Sequence, residues 1–143
     1  MAAATANRLP NTASWIYKDL AYQSWRLAPN NEILWLNGSP GKGKTTIAMA
    51  LIDEFRQKRR TTGSLGLSFF LCDHDDYRRN NATAIVRGLL YHILGKYPQA
   101  RHFLRREYNK QKESLVSSPN AIYSLWRVLN QVIQSLVSRC FEF

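Results

Sequence analysis

The sequence predicts an α/β domain of the P-loop NTPase fold, a partial parallel sheet with flanking helices, on three observations. A short run apolar on both faces, Ile33-Leu34-Trp35-Leu36, has the pattern of a buried parallel strand. It leads into a glycine-rich loop, residues 37–43, in which Gly38-Ser39-Pro40-Gly41-Lys42-Gly43-Lys44-Thr45 fits G-x-x-x-x-G-K-[ST]. From Lys44 the chain turns helical, with Ile47, Leu51 and Phe55 at fourfold spacing on one face. Strand, loop and helix in that order is the context in which this motif holds polyphosphate.

Each element has its own local cause. A lead-in helix is expected to open at Asn11 or Thr12, either of which can cap it, and to run past Trp15, Ile16, Leu20 and Trp25 to Ala28 and Pro29. Pro29-Asn30-Asn31 reads as a turn before the first strand, 33–37. The helix after the loop closes on Arg56, Lys58, Arg59 and Arg60, where cations suit the dipole. Residues 61–64 break it, and the alternation of Leu65, Leu67, Phe69 and Leu71 with Gly66, Ser68 and Phe70 predicts a second strand, 65–72. After the polar stretch 73–81, Asn80 or Asn81 caps a helix with Ile85, Leu89 and Ile93 on one face, ending near Gly95 and Pro98. A shorter helix spans roughly 99–108. The last has Ser118 as cap, Pro119 in its first turn, and Ile122, Leu125, Trp126, Leu129, Val132, Ile133, Leu136 and Val137 repeating every three or four residues. Two regions result: a helical lead-in, 1–29, and a nucleotide-binding region, 30–143.

Composition sets the outer bounds. A chain of 143 residues holds one modest domain, and 45% hydrophobic residues exclude a disordered or low-complexity polymer. Twenty Lys and Arg against ten Asp and Glu give +10, which favours anionic partners without choosing among them. Cys72 and Cys140 have no C-x-x-C neighbour, so neither a disulfide framework nor a zinc site is implied. The start of the chain lacks the apolar core of a secretory signal and no window approaches a membrane span, so a cytoplasmic setting is expected.

The loop specifies its ligand through backbone chemistry. Gly38, Gly41 and Gly43 permit conformations barred to other residues, turning successive N–H groups into a concave anion nest. The helix N-terminus adds unpaired N–H donors and a positive dipole end. Lys44 then reaches the β- and γ-phosphates, and the Thr45 hydroxyl supplies a ligand to Mg²⁺. The binding set is Gly38, Ser39, Pro40, Gly41, Lys42, Gly43, Lys44 and Thr45, with Thr46 the next helical residue; the cofactors are ATP or GTP with Mg²⁺.

Residues 33–46 resemble the start of a NACHT-type domain of the fungal STAND receptors, the nephrocystin-like N-terminal P-loop domain. Trp25-Arg26, Ser-Phe-Phe-Leu-Cys (68–72), Arg78, Asn80, Asn81 and Ala-Thr-Ala-Ile-Val-Arg-Gly-Leu-Leu-Tyr-His-Ile-Leu (82–94) extend the resemblance over roughly residues 9–137. It implies a nucleotide-driven signalling switch that associates with itself or with full-length NACHT relatives. It also implies an aliphatic strand closing in acids, the Walker B element, after the last helix; here the sequence reads Ser138-Arg139-Cys140-Phe141-Glu142-Phe143, so a truncation before that element is expected and hydrolysis is doubtful.

Weaker signals define the alternatives. Asp73 closes the aliphatic run 69–72 and could act as a makeshift Walker B acid, although a solvated strand end is the simpler reading. Basic residues at 56, 58–60, 78, 79, 101, 105 and 106 could serve a nucleic-acid-dependent ATPase, but no aromatic platform accompanies them and nucleic acid is disfavoured. A non-catalytic fragment acting through association is the third reading. Trp126 and its neighbours are either core or, without a covering sheet, an exposed apolar stripe.

Overall fold

The computed structural model describes residues 13–62 and 66–140, which fall into two compact units, Met1–Leu65 and Gly66–Phe143. Every regular element among the described residues is helical: α1 (Leu20–Leu27), α2 (Lys44–Thr62), α3 (Ala82–Lys96), α4 (Arg101–Gln111), α5 (Ser114–Ser117) and α6 (Ala121–Cys140), with 3₁₀ turns at Ser14–Lys18 and Pro98–Ala100.

The expected α/β sheet is therefore overturned, and the protein is all-helical over its described residues. Neither apolar run is hydrogen-bonded into a ladder. Residues 33–36 show why: Leu34 and Leu36 turn toward the first unit's core while Ile33 and Trp35 are 90% and 80% exposed. A run apolar on both faces becomes a strand only when neighbours supply backbone partners, and among the described residues of its unit this one has none. The run 66–72 packs on α3 through its side chains instead. The Ser68 hydroxyl donates to the Leu89 carbonyl at 3.1 Å, and the Phe69 ring meets His92 edge-on at 4.7 Å. Phe70 lies over Gly88 so closely that a Cβ there would fall 2.3 Å from its ring, which accounts for a glycine inside α3. Leu65 and residues 63–64 lie outside the described residues.

In the first unit, Ala13, Ile16, Tyr22 and Ile47 form a small core, with Trp25, Leu34, Leu36, Ala50 and Leu51 against it. The lead-in is two pieces rather than one helix. Asp19 interrupts it in an extended conformation and caps α1, its carboxylate accepting from the Tyr22 amide at 3.0 Å. The expected caps Asn11 and Thr12 lie outside the described residues.

The second unit is built on α6, which packs against α3, α4 and α5. Val128 and Val132 are wholly buried, and Leu125, Leu129, Leu90 and Leu94 surround them. Asn81 caps α3, accepting from the Ala84 amide at 2.9 Å. The buried face of α3 is Val86, Leu90 and Leu94, one residue on from the expected Ile85, Leu89 and Ile93, which are half-buried. Ser118 terminates the unforeseen α5, and α6 starts at Ala121, beyond Pro119. Trp126, Ile133 and Val137 stand exposed on α6, the apolar-stripe alternative rather than core.

Candidate functional site

The loop 38–43 joins the irregular run 33–37 to the nineteen-residue α2. Gly41 and Gly43 both have φ of 77°, whereas Lys42 between them keeps a negative φ. Alternation of this kind is the backbone pattern from which anion nests are built. A Cβ at either glycine would meet nothing within 4 Å, so the requirement for glycine is conformational rather than steric.

Helix α2 opens with the Ile47 amide donating to the Gly43 carbonyl at 3.0 Å. The amides of Lys44, Thr45 and Thr46 thus occupy the turn where helical geometry provides no acceptor, and no acid sits in that turn to compete for them. The Lys44 ammonium folds back over the loop, donating to the carbonyls of Gly38 at 2.6 Å and Ser39 at 2.8 Å. An ammonium has three donors, so one remains for an incoming anion. Ser39, Pro40, Lys42 and Thr45 are exposed, Thr46 is half-buried, and the Lys42 amide closes a turn onto the Ser39 carbonyl.

A clamp that the sequence reading missed joins α1 to α2. The Tyr22 hydroxyl donates to Glu54 Oε2 at 3.1 Å, and Arg26 donates to both the Tyr22 oxygen, at 3.0 Å, and Glu54 Oε1. Lys58 reaches the same carboxylate at 3.0 Å. Burial, the largest influence, raises the Tyr22 hydroxyl above its ordinary value. The hydrogen bond from Arg26 to Tyr22 is the first cause holding the guanidinium charged. The Trp25 indole N–H donates to the Glu32 carbonyl at 3.1 Å, and its ring meets Phe55 of α2 edge-on at 6.3 Å. Trp25-Arg26 thus ties α1 both to the run entering the loop and to the helix leaving it. The available signal was the pair of i,i+4 spacings, Tyr22–Arg26 and Glu54–Lys58.

Asp73 belongs to the second unit, in the turn 73–79. Its carboxylate accepts from the Asp75 amide at 3.3 Å and faces Arg79 at 3.5 Å. Beside it, Arg78 bonds Asp76 through side chain and backbone, holding that carboxyl below its ordinary range. These contacts organise a turn. No group of His, Cys, Asp or Glu suited to a metal occurs among the described residues. Of the basic residues on α2, Arg56 faces Asp53 and Lys58 faces Glu54, as surface helix charges do.

The Nephrocystin 3, N-terminal family matches residues 11–141. The chain is similar to vegetative incompatibility protein HET-E-1 of Podospora anserina, with 36% identity over 135 residues. That match covers 94% of this chain and 9% of the relative, so the chain spans a small part of that protein's length. It places the chain in a fungal NACHT-associated context. No solved structure matches it. No helix among the described residues is long and apolar enough to cross a membrane.

Proposed function

The chain belongs to the Nephrocystin 3, N-terminal family, and from that premise we propose that it binds a purine nucleoside triphosphate, ATP or GTP, with Mg²⁺ through residues 38–46. The observation that carries this is the alternating φ at Gly41, Lys42 and Gly43 immediately before a long helix, with Lys44 folded over the same loop. Backbone donors of the nest and of the first turn of α2 hold the α- and β-phosphates. Lys44 exchanges its bonds to the Gly38 and Ser39 carbonyls for the β- and γ-phosphate oxygens, and the Thr45 hydroxyl takes Mg²⁺. The charge of +10 favours such an anionic ligand.

Binding rather than turnover is the activity proposed. Asp73, the acid considered for positioning the attacking water, is engaged in its own turn. The clamp on Glu54 makes the site part of a signalling switch in this reading: α1 and α2 move together, so a ligand ordering the start of α2 is felt at α1.

Isothermal titration with Mg-ATP and Mg-GTP tests this. Lys44→Ala removes a charge-assisted contact of about 1.5 to 3 kcal/mol and weakens binding by roughly ten- to a hundredfold. Equal affinities for two folded proteins would remove Lys44 from the site, and no binding by the natural sequence would end the nucleotide reading.

A second reading, association with longer relatives, is favoured by the exposure of Ile33 and Trp35 directly before the loop. Ile33→Ser with Trp35→Ser would abolish co-purification with a full-length relative if that face is the contact; unchanged recovery would exclude it.

A further inference from the structure

The second unit contains a cavity of about 620 Å³ that nucleotide binding does not use. Two helical stripes form its walls. On α3, Arg87, Leu90, Leu94 and Gly95 recur at turn spacing, and on α4 so do Arg101, Leu104 and Arg105. The floor is apolar and deep, with Leu90, Leu94, Leu115 and Leu125 between 1% and 6% exposed. The rim is cationic, with three arginines and no carboxylate lining the cavity.

These arginines are differently committed. Arg101 donates through Nε to the Leu94 carbonyl at 3.0 Å, capping the last turn of α3. The guanidinium groups of Arg87 and Arg105 make no hydrogen bond or ion pair among the described residues. Elsewhere in this unit Arg78, Arg79 and Arg127 each have an acid, while Arg106, outside the cavity, has none among the described residues. Three arginines bordering one apolar recess that no carboxylate lines make it a place where an anion is favoured.

We propose that this cavity binds a small amphiphilic carboxylate, its aliphatic body on the leucine floor and its head group on Arg87 and Arg105. The volume lies within the ~300 to 1,000 Å³ usual for small-molecule sites lined by apolar groups with a few convergent polar ones. Guanidinium suits a carboxylate because its parallel N–H donors match the two oxygens. The alternative is that the arginine stems merely shield the leucines from water.

Titration of the full chain with decanoate below its micellar concentration, with decanol as the uncharged control, separates the two. Decanoate is expected to bind at one site about tenfold more tightly than decanol, since a carboxylate adds charge-assisted bonds. The double variant Arg87→Gln, Arg105→Gln should lose that preference and keep decanol binding. Gly95→Leu adds bulk to the wall at a position where a Cβ meets nothing within 4 Å, and should abolish both while the melt is unchanged or raised. Absence of decanoate binding, equal binding of acid and alcohol, or a preference that survives the double variant would each overturn the proposal. The arginine pair decides the matter whatever Gly95→Leu does to folding.

Discussion

The two units are held together by different physics. The second is mainly an apolar assembly in which α6 presents Leu125, Val128, Leu129 and Val132 to leucines of α3 and α5, with one buried carboxylate, Glu107, held by Arg127 and Gln111. The first has a small core and relies on directed polar contacts, Arg26 and Tyr22 on Glu54 and Trp25 on the Glu32 carbonyl. Hydrophobic burial is non-directional and tolerates many geometries, whereas hydrogen bonds fix distances and angles.

That contrast can be broken or sharpened by mutation. The largest effect is expected in the apolar unit, where Leu129→Ala should cost about 2 to 5 kcal/mol in denaturant unfolding, with amide exchange rising in α3 and α6. A loss below about 0.5 kcal/mol would show that the core collapses around the change and is not packed as described. Arg26→Ala should cost less, about 1 to 3 kcal/mol, because it removes charge-assisted bonds while Lys58 still faces Glu54. Its distinguishing mark is on the ligand side: nucleotide affinity should fall although Arg26 lies outside the loop. If stability falls and affinity does not, the clamp supports the unit and leaves the loop alone.

The smallest effect is a pH dependence. Burial and the Glu54 carboxylate raise the Tyr22 hydroxyl above its ordinary 10.0, against the hydrogen bond from Arg26. A raised folded value means that the folded chain holds the proton longer, so its contribution is complete below about pH 10 and is lost as pH rises past it. Tyr22→Phe should flatten that part of the stability profile. An unchanged alkaline slope would place the transition in other groups.

Much of this molecule is legible residue by residue. Lys44 opens α2, Asn81 caps α3, and the loop glycines carry the positive φ that only glycine adopts readily. The misses fall where a local pattern serves two structures. The run Ile33-Leu34-Trp35-Leu36 is apolar on both faces whether it is buried in a sheet or half-covered by one small core. In α3, Ile85 and Val86 are equally apolar neighbours, and hydrophobicity alone does not say which faces inward. Asp19 reads as one polar residue in a helical run until the Tyr22 amide is seen above its carboxylate.

The sequence alone determined where most of the longer helices lie and the positive φ of the loop glycines, because capping, periodicity and glycine's backbone freedom act within a few residues of the chain. Tertiary structure alone decided that neither apolar run joins a sheet, that Glu54 and not a nearer acid engages Arg26, and that three arginines of α3 and α4 share one cavity. Strand pairing, ion pairs between helices and cavity walls each need a partner far along the chain, and only the packed molecule identifies it.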